Sequence, residues 1–140
     1  MNVRFGVFLL AAVTCPAVAA FAAVKEKVIF SFNGTNGGPS PNTPTIDAKG
    51  NLFLTTGGGG QAGQGAFVEL SPPAKGQTAW TETVLYSFQG GSDGAAPSGG
   101  LLSDGSGNYY ASTGYGGGNG SCTSSSGCGA LVKLTAPSSG

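Results

Sequence analysis

The side chains of this sequence best suited to chemistry are its six carboxylates, because the chain contains no histidine. Histidine is the usual general base at neutral pH and the commonest metal ligand. Its absence from the sequence excludes Ser–His–Asp and Cys–His catalysis. Hydrolysis of a glycosidic bond needs only two carboxylates that flank the bond, roughly 5–9 Å apart. The six acids are Glu26, Asp47, Glu69, Glu82, Asp93 and Asp104.

The chain after its first two dozen residues is one unit written twice. Residues 26–34 align with residues 82–90 at an offset of 56 positions, and residues 50–51 align with residues 107–108 at an offset of 57. The offset grows to 64 beyond the second glycine-rich loop, which is longer than the first. Repeated units tolerate changes of length in their loops. The sequence therefore predicts an internal repeat.

The acids follow this repeat. Glu26 corresponds to Glu82 and Asp47 corresponds to Asp104, which fits structural roles in a strand and in a turn. Only Asp93, in a glycine-bearing loop, is unique to one copy, since the sixth acid corresponds to a lysine. One loop acid does not make a two-carboxylate site. The sequence therefore predicts a protein that is not an enzyme and uses no cofactor.

Two acidic turns, residues 47–51 and 104–108, superficially resemble a calcium loop. Calcium takes six to eight oxygen ligands, usually from several carboxylates, whereas each turn holds a single acid. Aspartate favours such turns because its side chain bonds the backbone that follows, and glycine supplies positive φ. The sequence predicts structural turns and no metal site. The predicted turn residues are Asp47, Gly50, Asn51, Asp104, Gly107 and Asn108.

One aromatic residue outside the apolar runs is the best indication of ligand binding. Tyr115 lies in a glycine-rich loop with few apolar residues near it in the sequence, and the first copy has glycine at the corresponding position. Aromatic faces beside asparagine and aspartate hold sugars or peptides in concave sites. We predict ligand contacts for Tyr115, Asn119 and Asp93; the alternative is that Tyr115 only pins its own loop. Five other aromatic residues lie in apolar runs and are predicted to be core: Phe30, Phe32, Trp80, Tyr86 and Phe88.

Two cysteines, Cys122 and Cys128, follow the leader, with five residues between them. An even number of cysteines in an exported chain implies a disulfide. A metal site would need more ligands than two thiols, and a redox pair usually has two residues between its cysteines. The sequence predicts a disulfide that stabilises one loop. It is not needed for the repeat itself, because the first repeat lacks the pair.

Residues 1–23 have the pattern of a secretory signal peptide. Arg4 gives the positive start, an apolar run follows, and Ala20-Phe21-Ala22 is a small-x-small cleavage site. A membrane anchor would need about 20 apolar residues and a retained flank. Lipidation at Cys15 is the disfavoured alternative, because its neighbours do not suit that processing. We expect a protein that is secreted or held at the bacterial cell surface, without a membrane span after cleavage.

Each unit contains four short β-type runs. Beyond the leader, no window of 11 residues shows a helical apolar stripe free of glycine and proline. Four short strands that recur at an offset of 56 residues are typical of a β-propeller blade. The predicted fold is all-β, with two four-stranded propeller-type blades and glycine-rich loops. The first repeat spans residues 24–80 and the second spans residues 81–140.

Three motifs of the second unit carry a family resemblance. They are Val-Leu-Tyr-Ser-Phe at residues 84–88, Gly-Leu-x-x-Asp-x-x-Gly-Asn-Tyr-Tyr at residues 100–110, and Gly-x-Leu-Val-Lys-Leu at residues 129–134. Together they resemble the GloVer tandem repeat of exported bacterial proteins, which carry many such units and a variable C-terminal surface anchor. The resemblance implies a propeller-like surface protein and no particular chemistry. This chain departs from the family in having two units and no visible anchor.

Two blades alone would leave apolar faces and open edges, since repeat proteins normally need at least three units. Either the chain is part of a longer array, or several copies assemble one ring in which residues 28–32 complete the last blade. The balance of six basic and six acidic residues argues against nucleic acid as a partner. The expected partners are further repeats of the same kind, copies of this chain, or an extracellular glycan.

The function expected from these features is that of a non-catalytic structural or ligand-binding module at the cell surface. One alternative is a lectin-like carbohydrate binder. The other is a fragment of a propeller-fold carbohydrate-active enzyme, which paired loop carboxylates would support.

Overall fold

The structure, a computed structural model, describes residues 23–34, 37–118 and 127–137. These ranges form strands and no helix, which confirms the all-β prediction. The predicted leader up to residue 22, together with Asn119 and Cys122, lies outside them. No helix in the described ranges is long and apolar enough to cross a membrane. The strands are β1 Thr45–Ile46, β2 Leu52–Thr56, β3 Ala66–Ser71, β4 Thr81–Ser87, β5 Ala95–Ser103, β6 Asn108–Tyr115 and β7 Leu131–Thr135.

The strands form two antiparallel sheets of different size. The first sheet has the order β1-β2-β3-β4 and the second has the order β5-β6-β7. β4 therefore belongs to the first sheet, although its sequence begins the second repeat. The corresponding run, residues 28–32, forms no strand. A run of this kind pairs with the last strand of the unit before it, and the described ranges hold no unit ahead of residues 28–32. The sheets consequently have four and three strands rather than four each.

The two sheets pack against each other through an aromatic core. Side chains alternate between the two faces of a strand, so one face of the first sheet presents Phe53 and Phe67 to the second. The ring of Tyr109 in β6 stacks on Phe53 at a centroid distance of 4.7 Å and lies 5.3 Å from Phe67. Aromatic pairs of this kind contribute about 0.5–1.5 kcal/mol beyond the area they bury. Phe88 and Leu134 complete the buried core.

The two outward faces of this pair of sheets differ. On the first sheet, the face that points away from the second carries Leu54, Ala66, Val68 and Leu70. Three aromatic residues cover it: Phe30, Phe32 and Trp80. On the second sheet, the face that points away from the first carries Leu102 and Leu131, which are 70% and 78% exposed. We call this second surface the open face.

The connections divide between the two ends of the sheets, because consecutive strands run in opposite directions. The acidic turns after β1 and β5 lie at one end, which we call the turn end. The glycine-rich connections after β2, β4 and β6 lie at the other end, which we call the glycine-loop end.

One side chain joins the two sheets by hydrogen bonds. The amide of Asn42 donates to the hydroxyl of Thr55 in the first sheet and to the carbonyl oxygen of Pro97 in the second, both at 2.9 Å. Thr55 is fully buried, so this bond satisfies a polar group that water cannot reach. The bridge fixes the position of β5 relative to β2.

Candidate functional site

At the turn end, the carboxylate of Asp47 closes its own turn. Its Oδ1 accepts hydrogen bonds from the backbone N–H groups of Lys49 at 2.8 Å and Asn51 at 2.9 Å. Its Oδ2 accepts one from the side-chain amide of Asn51 at 3.0 Å. Burial alone would raise the pKa of Asp47, but the hydrogen bonds from Asn51 and Lys49 outweigh it and hold the pKa below its usual value. The carboxylate is therefore held in its ionised, accepting form.

Asp104 does the same in the second repeat. Its Oδ1 accepts from the backbone N–H groups of Ser106 at 2.8 Å and Asn108 at 3.2 Å, and its Oδ2 accepts from the side-chain amide of Asn108 at 2.7 Å. The side-chain bond from Asn108, followed by the backbone bond from Ser106, lowers the pKa of Asp104. Both carboxylates are used by the fold in the same way.

A cleft of about 660 Å³ lies between the two acidic turns and brings carboxylates near one phenol. Asp47, Glu69 and Tyr109 line it. Burial raises the pKa of Tyr109, and the negative charges of Asp47, Glu69 and Asp104 raise it further. Sequence reasoning did not place Asp47 near Glu69, because Asp47 lies in the turn before β2 and Glu69 lies in β3, and they line one cleft only through the pairing of β2 with β3. The Oε1 of Glu69 accepts a hydrogen bond from the Ser71 hydroxyl at 3.1 Å.

A pair of buried threonines repeats between the two units, and sequence reasoning missed it. The hydroxyl of Thr56 donates to the carbonyl of Gly58 at 2.9 Å and accepts from the N–H of Ala66 at 3.2 Å. Thr113 donates to the carbonyl of Tyr115 at 3.0 Å and accepts from the N–H that begins the next run, residue 130, at 2.9 Å. The only signal in the sequence was the recurrence of Thr-Gly near the end of β2 and near the end of β6.

Glycines at the glycine-loop end allow two backbone segments to touch. A Cβ added at Gly116 would lie 2.5 Å from the Cα of Gly94, and a Cβ at Gly59 would collide with Gly38 in the same way. Gly116 also has a φ of 82°, which side chains of L-residues rarely adopt. The contact holds the loop after β6 against the loop between β4 and β5, so both loops present one continuous surface.

Asp93, one of the predicted ligand residues, lies on that surface and is bound to Tyr86. The Tyr86 hydroxyl donates to Oδ1 of Asp93 at 2.6 Å, and the backbone N–H of Gln89 donates to Oδ2 at 2.7 Å. The hydrogen bond to Asp93 raises the pKa of Tyr86, and burial adds to the effect. Tyr86 is 39% exposed rather than buried as the apolar run suggested. Its ring lies edge-on to Phe88, with centroids 5.3 Å apart.

Tyr115, a second predicted ligand residue, ends β6 opposite Ala95 and is 52% exposed. The close contact of Gly116 with Gly94 brings its backbone beside the loop that holds Asp93. The hydrogen bonds described for the Asp93 carboxylate go to Tyr86 and Gln89 rather than to Tyr115. The third predicted residue, Asn119, lies outside the described residues.

A hollow of about 540 Å³ adjoins Tyr86 at the glycine-loop end. Amide and hydroxyl groups line it beside the tyrosine ring: Gln61, Ser87 and Gln89. Side-chain amides both donate and accept hydrogen bonds, and the exposed tyrosine offers an apolar face. This combination can hold a polar ligand with an apolar side, such as a sugar. We call the hollow together with Asp93 and Tyr115 the candidate site.

Two further predictions concern cysteines and metals. Cys128 is exposed just before β7, and because Cys122 is outside the described residues their disulfide stays a prediction. Among the residues that the structure describes, no three His, Cys, Asp or Glu side chains are placed to hold one metal ion.

The chain matches no protein-family model, and comparison with curated proteins and with solved structures finds no similar chain. The function must therefore be inferred from the side chains and their surroundings.

Proposed function

We propose that this chain is an exported, non-catalytic repeat module with a structural or ligand-binding role at the bacterial cell surface. The observation that carries the proposal is the repetition of polar contacts. Asp47 and Asp104 close matching turns, and Thr56 and Thr113 bond matching loops. Units whose polar groups are used to hold the same turn in each copy are suited to stacking on one another. Such units agree with propeller-type blades and with the GloVer repeat that the motifs resemble.

The ligand in this proposal is an extracellular glycan bound at the candidate site. Tyr86 and Tyr115 supply exposed rings, and Gln61, Gln89 and Asp93 supply hydrogen-bonding groups. Sugars bind through one apolar side that stacks on an aromatic ring and through hydroxyls that bond to amides and carboxylates. The openness of the surface to solvent favours binding to a polymer, which passes across the site, over a small molecule that needs enclosure.

Binding and catalysis can be tested in one incubation experiment with two measurements. The secreted chain is incubated with bacterial and plant polysaccharides, and both bound protein and released reducing ends are measured. We expect binding without release. Tyr86→Ala and Tyr115→Ala should each weaken binding roughly tenfold, about 1.4 kcal/mol. Lys75→Ala, in the exposed β3–β4 loop at the turn end, should leave it unchanged. Binding that survives both tyrosine replacements would remove the candidate site from the proposal.

The enzyme alternative has one observation in its favour, the shared cleft of Asp47 and Glu69. The hydrogen bonds that hold Asp47 ionised suit a nucleophile or base, which leaves Glu69 as the candidate acid among the described residues that line the cleft. Release of reducing ends that disappears in Glu69→Gln but persists in Glu26→Gln would overturn the non-catalytic proposal.

Export is tested by the N-terminus of the protein recovered from the medium or the cell surface. Cleavage after Ala22 or Ala23 predicts Ala23 or Val24 as the first residue. A protein recovered from the cytoplasm with Met1 in place would contradict the proposal.

A further inference from the structure

The outer strand of the second sheet has an unused edge. β7 ends the order β5-β6-β7, whereas β3, its counterpart in the first repeat, lies inside its sheet and pairs with β4. No described strand pairs with β7 on the side away from β6. Such an edge presents unpaired N–H and C=O groups and is a template for another strand. A groove of about 380 Å³ runs along it, lined by residues of β7 and by Leu85, Tyr86, Phe88 and Asp93, so it shares Tyr86 and Asp93 with the candidate site.

The strand that would fill this edge is present in the chain but unpaired. Residues 26–32 repeat the sequence of residues 82–88, which contain β4, with Glu26, Val28 and Phe32 matching Glu82, Val84 and Phe88. Yet residues 26–32 form no strand, and Val28 is 69% exposed. The chain therefore carries both a vacant edge and a segment with the sequence of the missing strand.

The segment does not reach the edge within one molecule. Phe30 and Phe32 pack against the face of the first sheet that points away from the second sheet. The first sheet thus lies between residues 26–32 and β7. A second copy of the chain carries the same segment and can supply the strand that pairs with β7.

The residues on the open face of the second sheet also support a second copy as the donor of this strand. By the repeat, Tyr110 and Leu131 on the open face correspond to Phe53 and Phe67, through which the first sheet packs on the second. The open face therefore has the sequence of a surface that is covered by a following sheet. An apolar pocket of about 430 Å³, lined by Leu102, Tyr110 and Leu131 among others, marks it.

The covering surface is supplied by the same second copy. Its first sheet offers Leu54, Val68 and Leu70, which correspond by the repeat to Ala111, Val132 and Leu134 on the covered side of the second sheet. A first sheet that stacks on the open face thus repeats the interface already present inside the chain. Phe32 of this second copy then occupies, at the new interface, the position that the buried Phe88 occupies inside the chain. Residues 26–32 of the second copy lie along β7 of the first.

We propose that copies of this chain join head to tail, with residues 26–32 of one copy forming the fourth strand of the second sheet of the next. The pairing of β3 with β4 gives the register: Val28 faces Val132, and Lys27 faces Lys133. The contact joins unlike surfaces, so it closes into a ring or continues as a filament. The inference deepens the proposed structural role and rests on its repeat geometry, but it does not depend on ligand binding. A glycan-binding monomer would remove this inference and leave the proposed function standing.

The first test is the solution mass of the chain as secreted, measured by light scattering over a range of concentrations. We expect a concentration-dependent oligomer. Val28→Pro and Ile29→Pro each remove one backbone N–H group. Neighbouring N–H groups of a strand point to opposite edges of it, so only one of the two variants loses a hydrogen bond to β7. That variant should associate roughly tenfold more weakly, whereas Val24→Pro, outside the segment, should not. A folded chain that stays monomeric at its highest soluble concentration overturns the proposal.

A substitution that strengthens association distinguishes an effect on assembly from an effect of misfolding. Lys27 and Lys133 would face each other across the new strand pair, and like charges directly opposite are unfavourable. Lys133→Glu should therefore strengthen association several-fold, and added salt should strengthen that of the original chain by screening. Association that weakens in both experiments would contradict the register.

Oxidative cross-linking tests the direction of the contact. Chains carrying Val28→Cys and chains carrying Val132→Cys should form a dimer when mixed, and the double variant should form a ladder or a closed ring. The unaltered chain is oxidised in parallel to account for Cys122 and Cys128. Dimers formed by Val132→Cys alone would show a two-fold contact of like edges and would overturn the head-to-tail arrangement.

Discussion

A methyl group at Gly116 would lie 2.5 Å from the Cα of Gly94, so the two loops approach this closely only because residue 116 is glycine. Gly116→Ala should therefore lower the free energy of unfolding by two effects. The positive φ costs about 1–2 kcal/mol, and the overlap with backbone costs about 1–3 kcal/mol more. Chemical denaturation followed by circular dichroism measures the loss.

Gly105→Ala is the matched control for this substitution. Gly105 also has a positive φ, 75°, but a Cβ there would meet no atom within 4 Å. This variant should show the backbone cost alone. Equal losses in the two variants would mean that the loops do not touch in solution.

The buried hydroxyl of Thr113 gives a second prediction. Thr113→Val keeps the shape of the side chain but leaves the N–H of Ala130 and the carbonyl of Tyr115 without this partner. The unsatisfied groups should cost about 1–3 kcal/mol of unfolding free energy. Thr83→Val, on the exposed surface of β4, should cost less than about 0.5 kcal/mol. If the two valine variants are equally stable, the hydroxyl does not hold the loop.

The sequence predicted the features that depend on near neighbours. An aspartate four residues before an asparagine, with glycine between them, defines the Asp47 and Asp104 turns without help from the rest of the fold. The all-β class followed similarly from short apolar runs broken by glycine. The place of β4 could not be read in this way, because its sequence begins the second repeat whereas the strand itself pairs with β3 of the first.

The candidate site shows the same limit. Tyr86 lies in a run whose composition suggests core, yet it is 39% exposed, and its hydroxyl donates to Asp93 in the Gly90–Gly94 turn. Glu69 and Asp47 come to one cleft only through the register of β2 with β3. The course of a turn sets the first position and the register of two paired strands sets the second, and the residue types within each run determine neither.

Acid should destabilise the protein through the two turns. The pKa values of Asp47 and Asp104 lie below their ordinary 3.8 in the folded chain. A carboxyl whose folded pKa is depressed stabilises the fold above its unfolded pKa, and this stabilisation is lost as the pH falls through the folded value. We expect the free energy of unfolding to decline below about pH 4. The decline should be shallower in Asp47→Asn/Asp104→Asn, measured by denaturation at a series of pH values.

Glu26→Gln is the control for this pH series, because Glu26 is exposed and lies outside both turns. The slope of unfolding free energy against pH should change less in this variant than in the double asparagine variant. A double variant whose slope matches that of the original chain would show that the turns contribute nothing to acid sensitivity.

The disulfide between Cys122 and Cys128 is open to a direct test. Its small loop suggests a stabilisation of about 2–3 kcal/mol, mainly by restriction of the unfolded chain. Peptide mass mapping of the secreted protein without reductant should find the two cysteines linked. Reduction should lower the unfolding free energy by this amount, and a Cys122→Ser/Cys128→Ser variant should no longer respond to reductant.

The bridge of Asn42 predicts that the two sheets unfold as one cooperative unit. Asn42→Ala removes both of its bonds, to Thr55 and to the carbonyl of Pro97, and should cost about 1–3 kcal/mol. A double-mutant cycle with Thr55→Val isolates the part that belongs to the first bond, which we expect to be about 0.5–1.5 kcal/mol. If Asn42 joins the sheets as described, its replacement should also raise hydrogen exchange in β5 and β2 together. Exchange that rises in β5 alone, with no coupling energy to Thr55, would show that the second sheet is held by the aromatic core without this bridge.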